Sequence, residues 1–238
     1  MLINLRNALM GKRLPTAKDY VQSGLVAMWD GIENAGWGQH NPSATTWKDL
    51  VGGNYFTIPA NTQSVRYSWE NGALVGSGSN LSIGSNNTFS AQNELTFEVV
   101  GAVNAVPNLS GYACVAGNAQ VRPIFLYPTK LTYIYLASVG TAAFGTAPLA
   151  RLSAAVTSGS ANSVFYSNGA SVLTSSLHVS FASNKVWVFG YQGTSSASNP
   201  WGDGGNVECS AIRIYSRALT ASEIARNYAI DKARFGLL

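Results

Sequence analysis

The chain of 238 residues predicts an all-β protein, a two-sheet antiparallel jelly-roll sandwich with a short helix near each terminus. Three observations predict it. Apolar and polar residues alternate in short runs from Gly24 to Tyr215, the period of strands with one buried face. Clusters of Gly, Asn and Ser separate the runs, and 24 glycines favour many turns over long helices. Asn168-Gly169, between the apolar runs VFYS and ASV, supplies the two positive-φ residues of a type I′ hairpin.

In chain order, Leu2, Leu5 and Leu9 follow helical spacing, and Gly11 and Pro15 stop that helix. Residues 11–23 read as a linker. Residues 1–22 are therefore expected to be an attachment segment that contacts other protein chains, and 23–238 the sandwich. LVAMWD (25–30), YFTI (55–58), VRYSW (65–69) and NLSI (80–83) are short strands between turns. ELTFEVVGAV (94–103) sets Leu95, Phe97 and Val99 against Glu94, Thr96 and Glu98, a strand with one face in water. GYACVAG, RPIFLYP, KLTYIYLA, ARLSAAVT and KVWVFGY continue the series. In AIRIY (211–215), Ile212 and Ile214 face inward and Arg213 and Tyr215 outward. Thr220 and Glu223 form a capping box that opens a helix over about 221–230, with Ile224, Ala225 and Tyr228 on its apolar face. Trp29, Trp69 and Trp187 are expected in the core.

The net charge is +4. Cations gather between Arg6 and Lys18 and between Arg213 and Arg234, and no acid occurs from Val99 to Gly202. No dense basic stripe is interleaved with aromatics, which argues against a nucleic-acid partner. No apolar run approaches the roughly 20 residues that span a bilayer, so no membrane insertion is expected. Asn4, Arg6 and Asn7 interrupt the first apolar run, so no signal peptide is visible. Cys114 and Cys209 are too few for a disulfide framework or a zinc site. They read as buried thiols, or as a single bridge outside a reducing compartment.

AIRIYSRALTASEIARNY (211–228) resembles the closing signature of laminin-G-like, concanavalin-A-like lectin and glucanase domains: a strand, an R-I-Y-x-R-A-L-T-x-x-E-I turn and a short helix. SGLVAMWD (23–30), TTWKDLVG (45–52), NELTFEVV (93–100) and SVFYSNG (163–169) are similar to earlier stretches of that family in the same order. The resemblance covers 23–231 and implies a sandwich of two curved sheets that binds glycans or proteins, or in some branches hydrolyses polysaccharides. The chain departs from the hydrolase pattern. Glu94 and Glu98 sit four residues apart, about 13 Å along a strand, whereas retaining hydrolysis needs two carboxyl groups about 5–5.5 Å apart. No hydrolytic activity is expected, and Glu33 and Asp203 are the only loop acids that could converge.

The candidate ligand site is the pair of loops 33–42 and 192–205, which present Trp37, His40, Trp201 and Asp203. Trp37 and Trp201 also read as plugs over the ends of the sandwich, the more common fate of a tryptophan. No cofactor is expected. A calcium ion, which takes about six to eight oxygen ligands and usually two or more carboxylates, would call on Asp30, Asp49 and Asp203. The expected role is a non-catalytic module binding a glycan or a surface receptor, in a virion or at the cell surface. A purely structural subunit of a phage particle, or a polysaccharide hydrolase, are the alternatives.

Overall fold

The computed structural model describes residues 13–78, 81–90, 93–105, 113–118, 121–126, 131–136, 140–146, 148–176, 178, 184–189, 191–192, 200–201 and 205–238. Among them eighteen strands run in chain order: β1 (Leu25–Asp30), β2 (Thr46–Lys48), β3 (Tyr55–Thr57), β4 (Val65–Glu70), β5 (Ala73–Gly78), β6 (Ile83–Gly84), β7 (Leu95–Ala105), β8 (Ala113–Gly117), β9 (Val121–Leu126), β10 (Leu131–Leu136), β11 (Gly140–Thr146), β12 (Leu149–Ser158), β13 (Ser163–Ser167), β14 (Ala170–Ser175), β15 (Trp187–Val188), β16 (Tyr191–Gln192), β17 (Pro200–Trp201) and β18 (Gly205–Tyr215). One helix, α1 (Ala221–Phe235), closes the chain.

The larger sheet has the order β14-β13-β12-β7-β18-β5-β4, and β1 also pairs with β18. The smaller has the order β11-β10-β9-β8-β15-β6. Neighbours in both are antiparallel, as the alternation predicts. β18 is central. β7 lines one of its edges from Asn206 to Tyr215. The other edge is shared: Gly205–Cys209 pairs with β5 and Ala211–Tyr215 with β1.

Between the sheets lies one apolar cluster that includes Phe97, Val99, Val115, Ile124, Ile212 and Ile214. Trp29 and Trp47 are fully buried in it, and Trp69 packs against it. Trp29 lies 4.7 Å from Phe56 between ring centroids, and Trp47 meets Trp69 edge-on at 5.3 Å. Trp187, expected in the core, is half-buried. Asn168 and Gly169 have φ of 49° and 77° and form the β13–β14 turn. Asn71-Gly72 makes a second such turn, and β5 behind it went unread in the sequence. The strand expected at NLSI is reduced to β6.

The expected solvent face of β18 is corrected. Arg213 and Tyr215 are as buried as Ile212, because α1 lies over that side of the larger sheet. Thr220 and Glu223 cap the helix as predicted: Glu223 N donates to Thr220 Oγ1 (3.3 Å) and Thr220 N to Glu223 Oε2 (2.9 Å). It runs five residues beyond the expected end, to Phe235, and is capped by Gly236, whose φ of 68° lets its N–H reach Lys232 O. Its inner face is Ile224, Asn227, Ile230, Asp231 and Phe235, whereas Ala225 is exposed and Tyr228 half-buried. Two polar residues face inward because the sheet beneath presents charge to them.

That charge includes Glu98, expected in water but buried. Arg213 donates to Glu98 (Nε to Oε2, 2.6 Å) and, with both terminal nitrogens, to Asp231 (2.8 and 2.7 Å). Asn227 donates to Glu98 and to Tyr215 Oη, while Tyr20 and Ser153 hydroxyls donate to Asp231. Each charge meets opposite charge and further hydrogen bonds, which is what makes its burial tolerable.

The linker reading of 11–23 is also corrected. Ala17, Tyr20 and Val21 are buried, and Val21 N donates to Asn227 Oδ1 (3.0 Å). Arg226 and Arg234 donate to the carbonyls of Asp19 and Pro15. This stretch and α1 form a third layer on the larger sheet. The helix expected over 2–10 lies outside the described residues.

Candidate ligand site at the Trp37 turn

β1 ends at Asp30, and the loop to β2 begins where Gly31 N donates to Ser210 O on β18 (2.8 Å). Within this loop, Gln39 N donates to Gly36 O (2.8 Å), and Gly38 has φ of 67°. These are the marks of a tight turn with Trp37 and Gly38 at its centre, and the second position requires a residue that tolerates positive φ. Trp37 is 37 % exposed there. His40 follows it and is exposed.

Glu33 holds the turn in place. It is 7 % exposed, and its Oε2 accepts from Gly38 N (2.8 Å). Its Oε1 accepts from Ala17 N (3.2 Å), so one carboxylate ties two segments together. Arg234 on α1 neutralises it, reaching Glu33 Oε1 (3.2 Å) and Asp30 Oδ2 (2.7 Å). Between the two tied segments lies a pocket of about 240 Å³ lined by Thr16, Lys18, Glu33, Trp37 and Gly38. Lys18 Nζ stands 5.5 Å from the centroid of the Trp37 ring. Lys18 was missed because its segment read as linker. Glu33 was noticed only as a possible catalytic acid.

Two other hollows flank the same region. One of about 370 Å³ lies among Ala44, Ile58, Asn61, Tyr67 and Trp69. Its principal polar groups are turned inward: Trp69 Nε1 donates to Ala44 O, and the Asn61 amide bonds both backbone groups of Tyr67. The other, about 360 Å³, is lined by Lys48, Asp49, Asn54 and Tyr55. The Trp37 pocket differs from the first in offering an ammonium that, among the described residues, lies in no ion pair.

The expected site is only partly assembled within the described residues. Trp37 and His40 share one loop. Trp201 is described in its backbone alone, paired with Tyr191, and Asp203 lies outside the described residues. Ser210, which meets Gly31, and Gly205, where the second loop rejoins the sheet, are five residues apart on β18, about 17 Å by strand rise.

The acids weighed for calcium carry donors of their own. Asp30 binds Arg234 and the N–H groups of Ile32 and Glu33, and burial raises its pKa above the ordinary carboxylate value. Asp49, expected as a turn residue, accepts from the N–H groups of Met28, Val51 and Gly52. Neither offers the open oxygen cage that calcium takes.

No protein-family model matches the chain, and no curated protein is similar to it in sequence. Solved structures are similar in fold. Trypanosoma rangeli sialidase, in a complex with a difluorinated nononic acid, superposes with a TM-score of 0.60 at 14% identity, over 92% of this chain and 33% of that one. The binding domain of Paraclostridial Mosquitocidal Protein 1 gives 0.56 at 12% identity, over 86% and 52%. The receptor binding domain of botulinum neurotoxin type G gives 0.56 at 12% identity, over 88% and 52%. The chain thus spans between a third and about half the length of these neighbours. The likeness shows a common all-β fold.

Proposed function

We propose that this chain is a non-catalytic recognition module that binds a glycan or a surface receptor, within a larger extracellular or virion assembly. One observation carries the reading: Trp37 stands half out of the surface on a turn whose shape is fixed from below by Glu33. A rigid aromatic face beside a few polar groups is what a sugar ring requires, and a preformed turn spares the ordering cost of binding. The shared fold with two toxin binding domains supports the same reading. So do the laminin-G-like stretches of the sequence.

The module is proposed as non-catalytic because its acids are engaged. Glu98 and Asp231 converge on Arg213, but they are 1 % and 0 % exposed beneath α1 and meet no substrate. Glu33 is held by Arg234, Ala17 N and Gly38 N. We assign the attachment to other chains to the N-terminal segment ahead of its packed part.

The test is a glycan and receptor-ectodomain binding screen of the parent protein and Trp37→Ala. Binding by the parent that disappears in Trp37→Ala, with an unchanged melting temperature, is expected. Equal binding by both removes the turn from the site, and a parent that binds nothing overturns the reading.

A further inference from the structure

We propose that the pocket between Lys18 and Trp37 selects an anionic saccharide, a sugar ring bearing a carboxylate or sulfate group. This inference rests on the binding role given above to Trp37.

The charge balance of the pocket carries it. Its one acid, Glu33, is engaged: both oxygens accept backbone N–H groups, and Oε1 also meets the Arg234 guanidinium that is shared with Asp30. Its one cation is not. Among the described residues Lys18 has no carboxylate within ion-pairing distance, and its ammonium is placed at the indole of Trp37. A ligand entering here meets an aromatic ring and a positive charge about one sugar's reach apart, the ammonium standing 5.5 Å from the ring centroid. A neutral sugar uses only the first. An acidic sugar uses both, its ring against the indole and its anion on the ammonium.

The surrounding surface has the same bias. Arg226 reaches the carbonyl of Asp19, next to Lys18, and Lys232 lies further along the outer side of α1, both without an ion pair among the described residues. The exposed or half-exposed acids of this layer are already matched, Asp19 with Arg13 and Glu223 with Arg217. Unmatched charge on this face is therefore positive, which draws anions towards the pocket. Glu33 also sets the spacing. It binds Ala17, the neighbour of Lys18, through one oxygen and Gly38, the neighbour of Trp37, through the other. The backbone segments that carry the cation and the aromatic ring are thus tied to one carboxylate before any ligand arrives.

The experiment titrates the whole protein with three oligosaccharides of equal length, one neutral, one uronate-bearing and one sulfated. The parent, Lys18→Gln and Lys18→Arg are compared at two salt concentrations. An acidic sugar is expected to bind the parent about fivefold more tightly than the neutral one, in line with one exposed ion pair. That advantage should shrink with added salt. Lys18→Gln should abolish the difference between acidic and neutral sugars, and Lys18→Arg should keep most of it. The uronate and sulfate arms report which anion fits better. If the parent binds neutral and acidic sugars alike and Lys18→Gln changes neither, the anionic preference is overturned while the role of Trp37 stands. If no sugar binds, both fall. Lys18 is exposed, so unchanged melting temperatures should accompany both substitutions.

Discussion

Glu98 and Arg213 stand opposite each other on neighbouring strands of the larger sheet, joined at 2.6 Å, and the side chain of neither is more than 1 % exposed. The pair is shut beneath α1, and Asp231 of the helix completes it. Removing Arg213 strands two carboxylates in a place water does not reach. Arg213→Ala should cost about 3–5 kcal/mol of stability, read from urea unfolding. Replacing Glu98, Arg213 and Asp231 together by Leu, Met and Leu should cost less than that single change. A triple variant as unstable as the single one would show that the charges themselves, rather than their pairing, hold the layer.

Glu33 is tested by its removal. Glu33→Ala leaves Ala17 N and Gly38 N without their acceptor and Arg234 short of one countercharge. A loss of about 1–3 kcal/mol is expected, together with faster hydrogen exchange at the Ala17 and Gly38 amides. Exchange unchanged at Gly38 would mean that the Trp37 turn holds itself.

Acid acts on the helix cap with a defined sign. Arg217 beside Glu223 lowers that carboxyl to about 2 from its ordinary value. A lowered folded pKa gives stability that is complete above the unfolded carboxylate range and is lost as pH falls through that range towards 2. Parent and Glu223→Gln should therefore differ in urea midpoint at pH 7 and converge near pH 2. Asp30 and Glu98 run the other way. Burial raises both, so their contribution is greatest in acid and declines as pH rises through their folded pKa values.

The two thiols should be silent in the native protein. Burial pushes Cys114 up to about 12 and Cys209 upward as well, so little thiolate forms at pH 8. A chromogenic disulfide reagent should titrate no thiol in native buffer and two after denaturation. Prompt reaction of either in the folded state would contradict their placement.

The strands and the helix cap were legible because each is a local pattern. LVAMWD alternates, Thr220 and Glu223 are three apart, and Asn168-Gly169 can hardly be anything but a turn. What escaped was the third layer. Glu98, Arg213 and Tyr215 occupy alternate positions that a sheet open on one side turns to water, and the helix covers them. Asn227 and Asp231 look like the wet side of a helix, and nothing near them in sequence announces that an arginine waits beneath. Lys18 escaped for the same reason, since what ties its segment to the Trp37 turn is a glutamate whose partners are backbone N–H groups. The rest of the expected site, Trp201 and Asp203, rests on a loop whose contacts lie outside the described residues.

The shared edge of β18 bears on how the protein is made. This strand lies between β7 on one side and β1 with β5 on the other, yet it leaves the ribosome after all three. Until it emerges, β1 lacks its neighbour and β5 and β7 each keep an open edge, and open edges are where unfinished chains stick to one another. Closing the sheet then joins segments almost 190 positions apart, as Leu25 does with Tyr215, a slow step for any chain. The nascent protein therefore passes through a long interval with its largest sheet incomplete. Yield during synthesis should depend on chaperones and temperature more steeply than the stability of the finished molecule would suggest.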